Sequence, residues 1–148
     1  AERELAWAKR NNKDMSLLIM DLDNFKSIND TFGHVAGDEI IREIGRIITG
    51  SFRKTDIAGR LGGEEFAVVL KNASLEEAMK AAEKFRGIVD KRRVIYGNQE
   101  ISFTVSIGVA SINEDTSGIE DILKMADDAL YKAKAKGRNC VAVASASE

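Results

Sequence analysis

Met15-Ser16-Leu17-Leu18-Ile19-Met20-Asp21-Leu22-Asp23 is an apolar run closed by two carboxylates. Met15 to Met20 is too brief for an independent helix and has polar residues on either side, so it reads as a buried central strand. Asp21 and Asp23 lie two apart, and in extended conformation both project to the same face at the strand end. An ionised carboxylate at the rim of a core is costly to desolvate and needs a cation or several donors. Oxygen ligands on fixed strands suit magnesium, which takes one or two protein carboxylates and fills its other positions with water and phosphate oxygens. A pair of exposed strand-end aspartates is the competing account.

Outward from this strand, the pattern alternates between helical and extended. Residues 2 to 11 are charged around Leu5 and Trp7 and read as the last turns of a helix. After the strand, Phe25, Ile28 and Phe32 fall on one helical face that Gly33 terminates. A longer helix is expected from about Asp38, burying Ile40, Ile41, Ile44, Ile47 and Ile48. Ser74 to Glu77 is a capping box opening a helix with Leu75, Met79, Ala82, Phe85 and Val89 inward. A short strand at Val94 to Tyr96, a Gly97-Asn98 turn and a long strand from Ile101 through Val109 follow. Ser117 to Glu120 reads as a second capping box, for a helix lined by Ile119, Ile122, Ala126, Ala129, Leu130 and Ala133. Gly137 closes it before a last strand, Cys140 to Ala144. The order predicts an α/β (α+β) fold with a mixed, largely antiparallel central sheet flanked by helices, on a ferredoxin-like or palm-like core.

Leu61-Gly62-Gly63-Glu64-Glu65-Phe66 joins two of the strands, Asp56 to Leu61 and Phe66 to Leu70, into a hairpin. Adjacent glycines can take the positive φ angles of a two-residue turn, holding Glu64 and Glu65 at an exposed corner that a phosphate or metal can approach. A plain hairpin with two solvated glutamates fits the hexapeptide equally well. Asn24, Phe25 and Lys26 open a helix directly after the acidic strand end, where free N–H groups, the helix dipole and the Lys26 charge form a small anion site.

The 148 residues fit one domain and can bury a core without staples. With 22 basic and 24 acidic side chains the net charge is −2, which gives no basic footprint for nucleic acid and no acidic tail. The lone Cys140 excludes an internal disulfide and, in an apolar run, is expected as a buried thiol in a reducing compartment. No segment reaches transmembrane length and no signal peptide is visible. The missing initiator methionine and the tail-like residues 145–148 point to a piece of a longer protein, with any membrane or sensory part outside it.

Several strings occur in order across nearly the whole chain: Asp21 through Asp30, Gly33-His34, Gly37-Asp38, Gly62-Gly63-Glu64-Glu65-Phe66, Ser106 through Ala110, and Ala129 through Lys134 with Gly137-Arg138-Asn139. Together they resemble the GGDEF family of diguanylate cyclases, enzymes that condense two GTP into cyclic di-GMP and release two pyrophosphates. The resemblance implies the core seen in nucleotide cyclases and a catalytic set of Asp21, Glu64 and Glu65. It makes Asp21, the Leu22 carbonyl and Glu64 ligands of two magnesium ions per active site, with manganese able to substitute. Glu65 is implied as a further ligand or a helper in deprotonating the attacking ribose 3′-hydroxyl, and Glu64 stands where the family name has Asp.

The same resemblance assigns Asn29 and Asp38 to reading guanine, whose ring N–H and exocyclic amine can both donate to a carboxylate. Relatives that make mixed cyclic dinucleotides carry Ser at the position of Asp38, so Asp38 favours GTP for both halves; as a residue it also fits a helix cap. His34 is placed near the base, Lys134 and Arg138 on the triphosphate, and Asn24, Phe25 and Lys26 beside the phosphates. Arg53-Lys54-Thr55-Asp56 matches an inhibitory RxxD site, where Arg53 and Asp56 bind the product. An exposed Arg-Asp surface pair is the plainer account of those four residues.

Expected partners are GTP, cyclic di-GMP as product and inhibitor, and a second copy of the chain, because each domain holds one GTP. An N-terminal sensor or receiver domain is expected outside this sequence, and the Asp-x-Leu-Thr-x-Leu-x-Asn-Arg segment usual before the family's first long helix is absent. The domain is expected to be cytoplasmic and bacterial, with any membrane anchor outside it. A degenerate member that only binds GTP or cyclic di-GMP is the alternative, although Asp21, Glu64 and Glu65 are all present. A nucleic-acid polymerase palm or purine cyclase would share the metal logic, but the balanced charge and the Asn29/Asp38 pair favour free GTP.

Overall fold

A computed structural model describes residues 2–113 and 115–144. The elements run α1 (Glu2–Arg10), β1 (Met15–Leu22), α2 (Phe25–Phe32), α3 (His34–Ser51), β2 (Ile57–Gly62), β3 (Glu65–Lys71), α4 (Leu75–Lys91), β4 (Arg93–Tyr96), β5 (Gln99–Ser102), β6 (Val105–Ser111), α5 (Ile119–Ala135) and β7 (Val141–Val143). Five strands form one sheet in the order β2-β3-β1-β6-β7, and β4-β5 form a separate ribbon. All pairings in the main sheet are antiparallel except β6 with β7. The mixed, largely antiparallel α+β sheet is thus as the sequence predicts, with β1 at its centre.

Every residue of β1 is buried, and its alternation divides two cores. Leu18, Met20 and Leu22 join Ile40, Ile44, Phe85 and Val89 from α3 and α4, while Met15, Leu17 and Ile19 join Leu5, Ile122, Ala126 and Leu130 from α1 and α5. Burying each Leu, Ile or Met of this kind stabilises by about 1.5–3 kcal/mol, so both faces hold the strand in one register. Gly108 in β6 lets α5 lie against the sheet: a Cβ there would stand 2.2 Å from the Ala126 carbonyl oxygen and 2.3 Å from the Leu130 nitrogen.

Several local expectations are corrected. Gly33, at φ 95°, ends α2 and at once precedes α3, which begins at His34 rather than near Asp38. Asp38 therefore lies inside the helix, and its reading as a cap is excluded. On α4 the capping box at Ser74 is present, but Ala78 faces inward and Met79 is exposed, because Ala78 rather than Met79 shares the face of Ala82, Phe85 and Val89.

The expected long strand from Ile101 breaks at Phe103-Thr104, where the chain passes from the β4-β5 ribbon into the main sheet and Thr104 bonds to Asp23. At α5 the cap is Gly118 without a side-chain bond; Ser117 instead donates its N–H and hydroxyl to Asp121, not Glu120. Cys140 is only half-buried, with its thiol on the Ala133 carbonyl at 3.3 Å. Residues 145–148, read as a tail, lie outside the described residues. Among the described residues no helix is long and apolar enough to cross a membrane.

Candidate active site

The end of β1, the β2-β3 turn and the last turn of α5 converge on one open cleft of about 280 Å³ lined by Asp21, Leu61, Gly62, Gly63, Glu64 and Glu65. A cleft of about 370 Å³ beside α1, lined by Trp7, Met15 and Lys71 among others, is more apolar but holds no such carboxylate cluster, so volume does not locate the chemistry. The glycine turn is shifted by one residue from the sequence expectation. Gly62 pairs with Glu65, so Gly63 and Glu64 are the turn residues; of the two glycines only Gly63 has positive φ, at 34°. A bulge between Arg60 and Gly62 absorbs the odd residue. Glu64 and Glu65 are in consequence half-buried rather than fully exposed.

Arg60 was not singled out in the sequence, and it fixes this turn: Nε and Nη2 donate to the Gly63 carbonyl at 2.9 and 2.5 Å. A cation three residues before a glycine is too common a pattern to mark it. The Leu22 N–H donates to the Glu64 carbonyl at 3.1 Å, tying the turn to β1, and Asp21 stands opposite Glu65 in the antiparallel register.

Asp21 is 8% exposed; Lys134 Nζ donates to its Oδ2 at 2.5 Å, while Oδ1 is buried with no partner. An unpartnered buried carboxylate oxygen is costly, and an oxygen-seeking cation would satisfy it. Burial, followed by the charges of Asp21 and Asp127, raises the Glu65 carboxyl above its ordinary range; Lys134 opposes this and Glu64 adds to it. Asp127, on α5, is a second contributor that the sequence did not reveal. No three His, Cys, Asp or Glu side chains among the described residues form a ready-made metal cage.

Asp23 plays another part than the paired-carboxylate reading gave it. It is 5% exposed and saturated: Ser106 and Thr104 hydroxyls donate to it at 2.6 and 2.7 Å, and the Asn139 N–H at 2.9 Å. The two aspartates share a face, as their spacing predicts, Asp21 meeting Lys134 and Asp23 the Asn139 N–H beyond α5, but Asp23 locks the backbone and only Asp21 keeps an unpartnered oxygen.

Around the cleft, α2 begins after Asn24, which is left-handed and makes no side-chain cap bond. Asn24 and Lys26 are exposed and Phe25 is half-buried. Asn29 packs its amide against α3, with Oδ1 buried and unpartnered where a Cβ on Gly37 would be 1.8 Å away. His34 and Asp38 are exposed on α3, one turn apart. Lys134 reaches Asp21, whereas Arg138 is exposed just beyond α5 with φ 66°.

Arg53 and Asp56 lie away from this cleft and are chelated to each other. The Arg53 backbone N–H donates to Asp56 Oδ2 at 2.9 Å, and Nη2 donates to Asp56 Oδ1 at 3.2 Å and to the Lys71 carbonyl at 2.6 Å. The Asp56 side chain is 3% exposed and that of Arg53 57%, and both line a cavity of about 260 Å³ with Asn72, Glu77 and Lys84.

Comparison with known proteins converges on one family. A family model described as "Diguanylate cyclase, GGDEF domain" matches residues 1–140. Diguanylate cyclase A of Treponema denticola is 46% identical over 127 residues, covering 86% of this chain and 34% of its own length. The chain thus spans about a third of that relative. The active GGEEF domain of a diguanylate cyclase from Vibrio cholerae superposes with a TM-score of 0.92 at 35% identity, over 97% of this chain and 91% of that one. The GGDEF domain of DgcB from Caulobacter crescentus, solved in complex with c-di-GMP, gives 0.93 at 33% identity, over 98% and 84%.

Proposed function

This chain belongs to the GGDEF family, and we propose that it is the catalytic domain of a diguanylate cyclase, condensing two GTP into cyclic di-GMP. The observation that carries the reading is the buried, unpartnered Oδ1 of Asp21, a residue that lines one cleft together with the glycine turn, Glu64 and Glu65. Those residues fit the divalent ions that such chemistry requires. Asp21, the Leu22 carbonyl and Glu64 would hold them, magnesium with manganese able to substitute. When bound, two such ions supply positive charge that activates a ribose hydroxyl and neutralises a triphosphate.

The chain's own groups do the remaining work. Asn29 and Asp38 read guanine, with exposed His34 beside them. Lys134 and Arg138 neutralise the β- and γ-phosphates, and the N-terminal turn of α2 at Asn24, Phe25 and Lys26 cradles the phosphate oxygens. Glu65, whose carboxyl burial already biases toward holding a proton, accepts the 3′-hydroxyl proton as that oxygen bonds to the α-phosphorus of the other GTP. The bond from that phosphorus to the bridging oxygen breaks, and pyrophosphate leaves. One GTP per domain means that two copies face each other and the step occurs twice. The proposed GTP substrate supports a domain on the cytoplasmic side of any membrane.

Arg53 and Asp56 form the product site, supported by the RxxD spacing, the exposed Arg53 side chain and the cavity that both residues line. Cyclic di-GMP there holds two domains with their active sites apart. A dimer forced by a fused coiled coil, incubated with GTP and magnesium, should yield cyclic di-GMP by mass, and Glu64→Gln should lower the rate by at least ~100-fold. Full activity in Glu64→Gln overturns the site, and a folded, forced dimer that binds GTP without product leaves a binding module instead. Arg53→Ala should leave the initial rate intact and abolish product inhibition; unchanged product binding removes that assignment.

A further inference from the structure

Gly137, Arg138 and Asn139 follow α5 with φ of 119°, 66° and 46°, so two side-chain-bearing residues in a row occupy the left-handed region. Such a turn does not hold itself, because arginine in particular prefers the right-handed well. Three sets of bonds hold it. The Arg138 N–H caps the Ala133 carbonyl at 3.1 Å, and the Asn139 N–H donates to Asp23. The Asn139 amide is gripped by α4: Arg86 Nη1 donates to its Oδ1 at 2.8 Å, and its Nδ2 donates to Asp90 Oδ1 at 3.3 Å.

The grip is specific. Arg86 only donates and the Asp90 carboxylate only accepts, so the two ends of the amide cannot exchange. Arg86 is itself immobilised, with a side chain 19% exposed, Nε donating to both Glu83 oxygens at 3.0 Å and Nη2 to one of them at 2.6 Å.

We infer that Arg86 and Asn139 are positioning residues for the phosphate end of the active site. They hold the strained turn through which Arg138 is presented, three residues beyond the helical turn that aims Lys134 at Asp21. Neither touches the carboxylate cleft or the guanine-reading face of α2 and α3. Releasing Asn139 lets Arg138 fall back to right-handed backbone and swings its guanidinium away from the triphosphate. This rests on the reading of Arg138 and Lys134 as phosphate-binding cations.

The test compares two ligands by calorimetry in magnesium: 3′-deoxy-GTP, which keeps the triphosphate but cannot condense, and GMP, which keeps only the base end and one phosphate. Arg86→Ala removes the grip. Asn139→Gly removes it while tolerating the left-handed φ and retaining the bond to Asp23, so it decides the matter if Arg86→Ala fails to fold. Both should weaken 3′-deoxy-GTP by roughly fivefold or more, the scale of one lost charge-assisted contact, and Arg86→Lys should recover part of it. GMP binding should change by less than about twofold, which a general loosening of the fold would not spare. Equal losses for the two ligands, or no loss in folded variants, overturn the proposal. Arg138→Ala is the control: if it leaves the preference for triphosphate intact, the cation reading itself fails; if it lowers that preference while the other two variants do not, only the positioning role fails.

Discussion

Lys134 Nζ and Asp21 Oδ2 meet at 2.5 Å across 113 residues of chain, on the edge of a cleft where the other oxygen of Asp21 has no partner. The ammonium occupies half of a carboxylate that the proposed chemistry needs for a cation. Lys134 should therefore compete with a divalent ion when nucleotide is absent and turn to phosphate when it is present. Lys134→Met should tighten magnesium or manganese binding to the nucleotide-free chain and weaken 3′-deoxy-GTP by about tenfold, as expected for a lost charge-assisted bond. Calorimetry with and without the nucleotide checks both; unchanged metal affinity would contradict the competition.

Glu65 makes a prediction about pH. Its carboxyl is raised above the ordinary 4.5 chiefly by burial, so between the unfolded and folded values the native chain binds more protons than the unfolded one. Stability contributed by the protonated group is full below the unfolded value and is lost as pH rises through the raised folded value. Glu65→Gln abolishes that loss. In chelator, urea melts of the two proteins should agree at the acid end and diverge above this window, with the Gln variant the more stable. Parallel pH profiles would show that Glu65 is not strained by its surroundings.

Gly37 is the contact that fixes Asn29. A methyl group there would overlap Oδ1 of Asn29, the far end of a side chain that can swing aside. Gly37→Ala should therefore leave the melting temperature nearly unchanged and reduce guanine nucleotide affinity by roughly tenfold, the scale of a specific hydrogen bond lost from a base-reading site. A variant with native GTP affinity would separate Asn29 from guanine recognition.

Gly108 presents the opposite case. Its missing Cβ faces backbone atoms of α5, which cannot rotate away. Gly108→Ala should destabilise by about 2–3 kcal/mol through overpacking and, by lifting α5, should also break the Lys134 contact with Asp21. A chemical denaturation midpoint within error of the parent would refute the close packing of α5 on β6.

Much of the layout was legible because burial imposes short periods on the chain. The apolar run of Met15 to Met20, interrupted only by Ser16, is too short for an independent helix and reads as a strand covered on both faces, and the isoleucines of α3 read as the inner stripe of a helix. Local chemistry misled where one residue had two roles open to it. Gly62 and Gly63 both tolerate positive φ, yet the bulge beside Arg60 left only Gly63 in that state. Asp38 has the chemistry of a cap, but Gly33 had already started the helix.

By itself the sequence determined the central strand, the order of the elements, and membership of the family through motifs in register. The strand and the helices depend on neighbours a few residues away, where spacing sets which side chains share a face, and the family shows in motifs recurring in order along the chain. Only the tertiary structure decided that Asp23 is a saturated backbone lock while Asp21 keeps one oxygen open. It likewise decided that Arg60 pins the glycine turn and that Arg86 reaches Asn139. Ser106 reaches Asp23 across 83 residues and Arg86 reaches Asn139 across 53, distances that no local pattern encodes, while the Arg60 contact, only three residues long, depends on the bulge that shapes the turn.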